Sequence, residues 1–219
     1  MTRAIVLDTE TTGLDPSAGD RLVEVAAIEL IDDKPTGLVF HRLVNPGRPI
    51  PADATADHGL SDADVRDAPV FAEIWSDLDA FCGPSPIIAH NAKFDSGFLD
   101  AECRLAGLPL IGARWIDTLA MFREQHGFAA ATLDAMLRRW DIRNTRDGKH
   151  DALGDCRLLA ACWIHLTGGH QRTLTLDAPQ AAIASYAPPF ARTPRVIVPS
   201  QADLAAHSIF LAKIKNNLW

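Results

Sequence analysis

The chain has 219 residues, 47% of them hydrophobic, and carries a formal net charge of −7. This apolar content is enough for a sizeable core and excludes general disorder, and no stretch approaches the ~18 consecutive apolar residues of a membrane-spanning helix. Four cysteines without a C-x-x-C pair indicate reduced, half-buried thiols, and we expect a soluble, cytoplasmic protein. A protein that binds duplex DNA without a partner is usually basic. The net charge of −7 therefore argues against tight binding of duplex DNA by this chain alone.

The first predicted element is a strand that presents two carboxylates on one face. The run Ile5–Leu7 is apolar and β-forming, and Asp8 and Glu10 follow it two residues apart. Because strand side chains alternate between faces, both carboxylates point the same way, about 7 Å apart along the strand. Two such carboxylates repel one another unless a cation lies between them. Taken alone, this spacing is more typical of a solvated strand edge.

A hairpin is predicted over residues 21–44, with turn residues 32–37 between two apolar runs. With the first strand, it predicts a mainly antiparallel three-stranded start to a sheet. Residues 45–67 are polar and rich in Pro, Asp and Gly, which predicts a long surface loop of a kind that is usually functional or mobile. A lone loop histidine such as His58 is more often a plain surface residue.

Strands and helices alternate through the rest of the first 169 residues. The spacing of Val70, Ile74, Leu78 and Phe81 predicts an amphipathic helix that begins near Pro69. Strands followed by strand–helix alternation predict an α/β fold, a mixed sheet flanked by helices. The other predicted elements are strands at 86–89 and 115–116 and helices at 94–105, 117–125, 133–140 and 151–166.

Two further acidic positions stand at element boundaries. Asp95 follows a buried strand, in a first helical turn where Asp is also a common capping choice. His150 and Asp155 are five residues apart, or about 140° around a helix, so they would not share a face if both were helical. Their spacing fits a loop position for His150 and a helical one for Asp155. Gly154 weakens that helix by roughly 1 kcal/mol relative to Ala and indicates close packing there.

Together these positions resemble the three motifs of the DEDDh exonuclease family. The matching residues are Leu7–Leu14, Ala89–Asp95, and the pair His150 and Asp155, in the family's order and spacing. The resemblance covers about residues 3–169. It implies a ribonuclease H-like fold and 3′→5′ exonuclease activity.

The resemblance also implies roles for individual residues. Asp8, Glu10, Asp95 and Asp155 would form an all-oxygen site suited to two Mg²⁺ or Mn²⁺ ions, which would activate the attacking water and steady the leaving oxygen. Asp8 and Glu10 are therefore expected to be catalytic together with His150, because histidine is the side chain best suited to general-base catalysis near neutral pH. The residues expected to contact the terminal nucleotide are Thr11, Thr12, Gly13, Leu14, Asp53, His58, Asn91 and Phe94, although a core position for the Phe94 ring is an equal alternative.

A short motif follows the exonuclease domain. Residues 171–176 read Q-x-x-L-x-L and resemble the peptides that bind bacterial sliding clamps, through Gln171, Leu174 and Leu176. The usual terminal aromatic residue is absent, and a fortuitous loop sequence is the alternative. The motif lies within residues 170–199, which are rich in Ala and Pro and predict a flexible linker.

Residues 200–219 predict a capped helix with no core of its own to join. Ser200 and Asp203 form a capping box, and the apolar stripe that follows needs a partner groove or a fold-back onto its own domain. The segment resembles the C-terminal part of the epsilon subunits of bacterial DNA polymerase III, which binds the polymerase (alpha) subunit. The residues expected to contact the polymerase are Leu204, His207, Leu211, Ile214, Leu218 and Trp219.

These observations predict a DNA-proofreading exonuclease whose polymerase and clamp partners supply the grip on DNA that a charge of −7 does not. A small accessory subunit is a further possible partner. One alternative is a stand-alone DEDDh exoribonuclease, against which the linker and capped helix argue. The other is a scaffold that bridges polymerase and clamp, against which the intact set of acidic residues argues.

Overall fold

The computed structural model describes residues 2–127, 131–168 and 198–213. The chain divides into two units, residues 1–174 and 175–219. The strands of the first unit are β1 (Arg3–Thr11), β2 (Leu22–Ile31), β3 (Lys34–Leu43), β4 (Ile87–Ala89) and β5 (Trp115–Asp117). Its helices are α1 (Ala52–His58), α2 (Asp62–Val65), α3 (Phe71–Cys82), α4 (Ala92–Ala106), α5 (Thr118–His126), α6 (Leu133–Arg139) and α7 (Ala152–Leu166).

The five strands form one mixed sheet in the order β3-β2-β1-β4-β5. Strands β1, β2 and β3 pair antiparallel, whereas β4 runs parallel to both β1 and β5. The predicted antiparallel start and the later strand–helix alternation are both confirmed. Strand β1 is central, so its apolar residues are buried from both sides of the sheet.

Two apolar cores cover the two faces of this sheet. Val6 packs in the core that includes α6 and α7, whereas Ile5 and Leu7 pack in the core that includes α3 and α4. By the same alternation, Asp8 and Glu10 extend from β1 toward the α7 side. The fold therefore places both carboxylates beside the first turns of α7.

The turn between β2 and β3 is shorter than predicted. Only Asp32 and Asp33 separate the strands, and both adopt positive φ angles, of 48° and 65°. Aspartate tolerates this conformation, and two consecutive positive φ angles match the strand twist in two-residue hairpins. Pro35, expected in the turn, instead lies in β3, an edge strand where a missing N–H is tolerated.

The prediction of one long surface loop over residues 45–67 is wrong, because α1 and α2 lie within it. Both helices are short and polar, and their only buried residues are His58 and Val65. A helix with one buried residue shows no repeating apolar pattern in the sequence, so periodicity does not predict it. The local signals were instead Pro51 before α1 and the capping box between Ser61 and Asp64 at the start of α2.

The remaining predicted helices of this unit are confirmed to within a few residues. Val70, expected on the buried face of α3, is the N-cap instead and is 45% exposed. The close packing predicted at Gly154 is real: a Cβ there would lie 2.3 Å from a carboxylate oxygen of Asp151, which caps α7. All four cysteines are free, as predicted, but they are fully buried.

The second unit contains α8 (Gln201–Lys213), capped by Ser200 and Asp203 as predicted. Leu204, Ile209 and Phe210 are more than half exposed on it. Residues 169–197 and 214–219 lie outside the described residues, so the linker, the clamp motif and the last six residues remain predictions. Within the described ranges, no helix combines the length and the apolar character needed to cross a bilayer.

Candidate active site

Glu10, His150 and Asp155 converge at one end of the sheet. Ligand atoms of these three side chains all lie within 4.8 Å of one another. His150 lies on the loop before α7 and Asp155 is inside the helix, as the five-residue spacing predicts. His150 Nδ1 contacts Oδ2 of Asp155 at 2.9 Å, and the main-chain N–H of His150 donates to the carbonyl oxygen of Asp57 at 3.1 Å. The loop is thus held from both α7 and α1.

Asp8 and Asp95 lie next to this group. Asp95 is 2% exposed in the first turn of α4 and accepts a hydrogen bond of 2.8 Å from the Thr9 hydroxyl. Asn91 precedes helix α4 and sets its direction, because its φ of 65° turns the chain sharply after β4. The four predicted carboxylates therefore gather from β1, α4 and α7.

Burial and mutual repulsion raise the pKa values of these acids. Burial, followed by the charge of Asp155, raises the pKa of Glu10 to about 9. Burial raises the pKa of Asp8 well above its ordinary value, and the charges of Asp95, Glu10 and Asp155 add to this. Burial also raises the pKa of Asp95, against the opposing effect of the Thr9 hydrogen bond. Without a cation, the site resists holding all four charges.

Arg146 brings a positive charge to the cluster. Its Nε donates to Oδ1 of Asp155, and its Nη1 donates to Asp134 on α6 at 2.5 Å. The side chain is only 6% exposed. The charge of Arg146 also lowers the pKa of Asp8, although by less than the other effects raise it.

Glu24 lies behind the site, directly opposite Glu10 on β2. It is 5% exposed, and its carboxylate contacts Nε2 of His41 at 2.6 Å. It also accepts a hydrogen bond of 3.1 Å from the main-chain N–H of Ala152. These two partners offset the repulsion that two facing carboxylates would otherwise suffer.

A pocket of about 620 Å³ opens beside Glu10. It is bounded by the end of β1, by α1 and by the ring of Phe94, and Leu14 stands at it with 85% of its surface exposed. His58, 6% exposed, is the last residue of α1, and burial lowers its pKa. The pocket is lined by Glu10, Thr11, Gly13, Leu14, Asp53, Ala54, Ala56, Asp57, His58 and Phe94.

Two of the predicted substrate residues do not line this pocket. Thr12 is 1% exposed, and its hydroxyl accepts from the main-chain N–H of Arg21 at 3.0 Å. Asn91 is exposed, and its main-chain N–H donates a hydrogen bond of 3.1 Å to the carboxylate of Asp117. Both residues shape the backbone next to the site. Gly13 also shapes this backbone, because its lack of a side chain leaves room for Asp20. A Cβ at Gly13 would lie 2.3 Å from Oδ2 of Asp20.

Three residues in or beside the site belong to no predicted motif. Arg146 and Asp57 lie in polar segments, where one more charged residue gives no signal. Glu24 does give one, because it interrupts the apolar start of β2. A charged residue inside a buried strand needs a partner, and this residue has two.

The donor set fits a divalent cation. Glu10, His150 and Asp155 can ligate one ion together, and the charges of Asp95, Glu10 and Asp155 act on Asp8 beside them. Carboxylate oxygens are the ligands that hard divalent ions prefer. A bound cation would also relieve the repulsion that raises the pKa values of Asp8 and Glu10.

Comparison with known proteins gives consistent matches. A family model described as "Exonuclease" matches residues 5–162. The DNA polymerase III subunit epsilon of Rickettsia prowazekii is 38% identical over 221 residues, which are 97% of this chain and 96% of that protein. The subunit of the same name from Pasteurella multocida is 32% identical over 236 residues, with 100% and 93% coverage.

Among solved structures, Exonuclease X in complex with 5′-overhanging duplex DNA is similar with a TM-score of 0.60 and 30% identity. The match covers 75% of this chain and 91% of that one. The ribonuclease H-like fold predicted from the sequence is confirmed by this similarity together with the mixed, helix-flanked sheet.

Proposed function

Because the chain belongs to the family of DNA polymerase III epsilon subunits and is an exonuclease, we propose that it removes nucleotides from the 3′ end of DNA as the proofreading subunit of a bacterial replicative polymerase. One observation carries the catalytic part of this proposal. Glu10 meets His150 and Asp155 and also lines a pocket large enough for a nucleotide. Subunits of a replicative polymerase work in the cytoplasm of a bacterium, and we propose the same location for this chain.

Asp8, Glu10, Asp95 and Asp155 would hold Mg²⁺ or Mn²⁺ at this site. The bound ions would supply charge neutralisation at the scissile phosphate and a more acidic water molecule. These ligands do not favour Mg²⁺ over Mn²⁺, since both are hard cations that bind carboxylate oxygens.

His150 would take the proton from the attacking water. Its Nδ1 lies 2.9 Å from Oδ2 of Asp155, so a proton on Nδ1 is held there and Nε2 is left as the basic atom. The imidazole is 43% exposed and therefore within reach of solvent and substrate. Before metal binds, Asp155 would thus orient the histidine through Oδ2.

The pocket would take the terminal nucleotide. Leu14 and Phe94 offer apolar surface to a base, and the end of β1 offers backbone groups at Thr11 and Gly13. Base stacking on apolar and aromatic surface is tolerant of sequence, which suits an enzyme that must remove any of the four nucleotides. Asp53 and His58 line the wall opposite these residues, on α1.

The C-terminal part of the chain, from residue 171 onward, would bind the partners. Helix α8 exposes Leu204, Ile209 and Phe210, and exposed apolar side chains on a helix are typical of a segment that binds a partner protein. We assign the polymerase to residues 200–219 and the sliding clamp, more weakly, to residues 171–176. Support for the polymerase comes from relatives that carry the name of a polymerase subunit and that match this chain over 97% of its length.

Digestion of a 5′-labelled single strand tests the catalytic proposal. With Mg²⁺, we expect a ladder that shortens from the 3′ end, and faster digestion of DNA than of RNA of the same sequence. Glu10→Gln should abolish the ladder, whereas Glu29→Gln, on the same sheet but away from the site, should leave it. Shortening from the 5′ end, or equal loss of activity in both variants, would contradict the assignment. A preference for RNA would favour the stand-alone exoribonuclease.

A pull-down with the cognate replicative polymerase tests the assembly. The full chain should retain the polymerase, whereas a chain that ends at residue 169 should lose it and still digest free single strands. Retention by both chains would assign the contact to the exonuclease unit instead of the tail. If neither chain binds, the enzyme is a free-standing exonuclease.

A further inference from the structure

Arg146 occupies an unusual place for an arginine. It lies in the segment between α6 and α7, and its side chain is 6% exposed although nothing in the sequence around it is apolar. Nε contacts Asp155 and Nη1 contacts Asp134, while Nη2 is buried without a hydrogen-bond partner among the described residues. Burying a guanidinium with one unsatisfied nitrogen is costly. A large electrostatic gain must therefore hold it in place.

That gain comes from Asp155 and Asp134, and the two oxygens of Asp155 have different partners. Oδ1 is bonded to Arg146, and Oδ2 is 2.9 Å from Nδ1 of His150. The histidine side chain is 43% exposed, whereas the arginine is 6% exposed. Of the two partners, only His150 can leave without rearranging the interior. Oδ2 is therefore the oxygen that can be released to another ligand.

The charge balance of the site points the same way. Asp8, Glu10, Asp95 and Asp155 are gathered in one region, and Arg146 is the only arginine or lysine that contacts any of these four in the described residues. Buried carboxylates destabilise a fold unless a positive charge accompanies them. Arg146 is thus placed where it can offset this cost before any ion arrives.

We propose that Arg146 is the internal counter-ion of the metal-free site, which holds Oδ1 of Asp155 in place and leaves Oδ2 for the metal. This inference rests on the proposed function in one respect, namely that Asp155 is a metal ligand. It assigns Arg146 a positioning role through Asp155, and not a contact with substrate. A link between α6 and α7 through Asp134 would also explain the burial of Arg146, but it would have no bearing on metal binding.

Thermal unfolding of the full chain, with and without MnCl₂, separates these two roles. The variants are Arg146→Gln, which removes the charge, and Arg146→Lys, which keeps it. Arg3→Gln is the matched control, because Arg3 pairs with Glu29 at 2.5 Å at the other end of β1. We expect metal-free Arg146→Gln to melt roughly 5–15 °C below the unaltered chain, since it leaves a buried carboxylate unpaired.

The decisive quantity is the rise in melting temperature that Mn²⁺ produces. This rise should be larger in Arg146→Gln than in the unaltered chain by about 5 °C, because the ion then replaces the missing charge. It should stay close to the unaltered value in Arg146→Lys and in Arg3→Gln. An unchanged or smaller rise in Arg146→Gln overturns the counter-ion role. No rise in the unaltered chain would contradict the metal site itself, which is a separate result.

A measurement on the unaltered chain covers the case in which Arg146→Gln does not fold. The Nε–H proton of Arg146 should give a slowly exchanging nuclear magnetic resonance signal in metal-free protein, assigned by its absence in Arg146→Lys. The signal should persist on addition of Mg²⁺, since the arginine stays on Oδ1. Rapid exchange with solvent in the metal-free protein, or loss of the signal with Mg²⁺, overturns the proposal.

Discussion

Glu24 accepts a hydrogen bond from the main-chain N–H of Ala152, with 3.1 Å between its Oε2 and the nitrogen. The bond ties β2 to the first turn of α7, midway between His150 and Asp155 in the sequence. Glu24 therefore fixes the point from which both functional side chains extend, although it belongs to neither motif. Its other oxygen is held by His41 at 2.6 Å.

Replacing Glu24 should impair turnover as well as stability. We expect Glu24→Ala to lower the exonuclease rate about tenfold, because a hydrogen bond to a charged acceptor contributes roughly 1.5–3 kcal/mol and its loss frees the start of α7. Glu29→Ala is the control, since Glu29 lies on the same strand and pairs with Arg3 far from the site. Both variants should lose stability. Equal rates in the two would show that Glu24 has no positioning role.

His150→Ala should separate catalysis from metal binding. Loss of the general base should lower the single-turnover rate roughly 10²- to 10⁴-fold, while Mn²⁺ still raises the melting temperature through the carboxylates. His165→Ala serves as the control, because His165 stacks on Trp140 at 5.3 Å, in the aromatic cluster beside α7. Its rate should remain within about twofold of the unaltered chain. An unchanged rate in His150→Ala would remove the histidine from the mechanism.

The metal-free chain should lose stability as the pH rises. Burial and the charge of Asp155 raise the pKa of Glu10 from 4.5 to about 9, and burial likewise raises that of Asp95. Between those pH values the folded state binds protons that the unfolded chain releases, so unfolding becomes more favourable as the pH increases. We expect the melting temperature to fall by roughly 5 °C or more between about pH 6 and pH 9.

Mg²⁺ should flatten that dependence, since bound ions favour the ionised carboxylates. The comparison requires melting curves across the pH range in a chelator and in excess MgCl₂. Stability that rises with pH in the chelator would show that these carboxylates are already ionised in the metal-free fold.

Leu14→Ala should weaken substrate binding without affecting the fold. Leu14 lines the pocket and is 85% exposed, so its removal leaves no cavity in the core. We expect KM for a single strand to rise about 3- to 10-fold, from the loss of apolar contact with the terminal nucleotide. Leu38→Ala, at a 60% exposed leucine on β3, should change neither KM nor the melting temperature. A similar KM in both variants would place the nucleotide elsewhere.

Gly13→Ala should be destabilising in a way that Gly97→Ala is not. A Cβ at Gly13 would meet the carboxylate of Asp20, whose oxygens accept from the main-chain N–H of Asp15 and from Arg48. Nothing lies within 4 Å of a Cβ at Gly97 in the middle of α4, where Ala favours the helix. We expect a loss of about 1–3 kcal/mol for the first and a small gain for the second in urea unfolding.

The sequence predicts the fold and the meeting of Glu10, His150 and Asp155 because both depend on local patterns. Asp8 and Glu10 need only strand alternation to share a face, and His150 and Asp155 need only the helical angle to be placed on a loop and a helix. Each signal is contained within ten residues. The four strand pairs and the sheet order then bring these segments together.

The parts that sequence reasoning missed depend on contacts between distant segments. Arg146 is important because it meets Asp134 and Asp155 at once, and no local pattern marks it. Helix α1 has a single buried residue, His58, and owes its position to packing and not to periodicity. Glu24 alone had a readable signal, a charge inside an apolar strand.

The order of the site residues along the chain has a consequence during protein synthesis. Asp8 and Glu10 leave the ribosome first, whereas Asp155 and its helix α7 come almost 150 residues later. At about 5–20 residues per second, β1 waits several seconds or more for α7. Until then, neither Asp155 nor His150 exists, and the core that includes α7 cannot close over β1. If Asp155 and His150 have the proposed roles, a partly synthesised chain is unable to cut nucleic acid, and the nuclease becomes active only once α7 has been made.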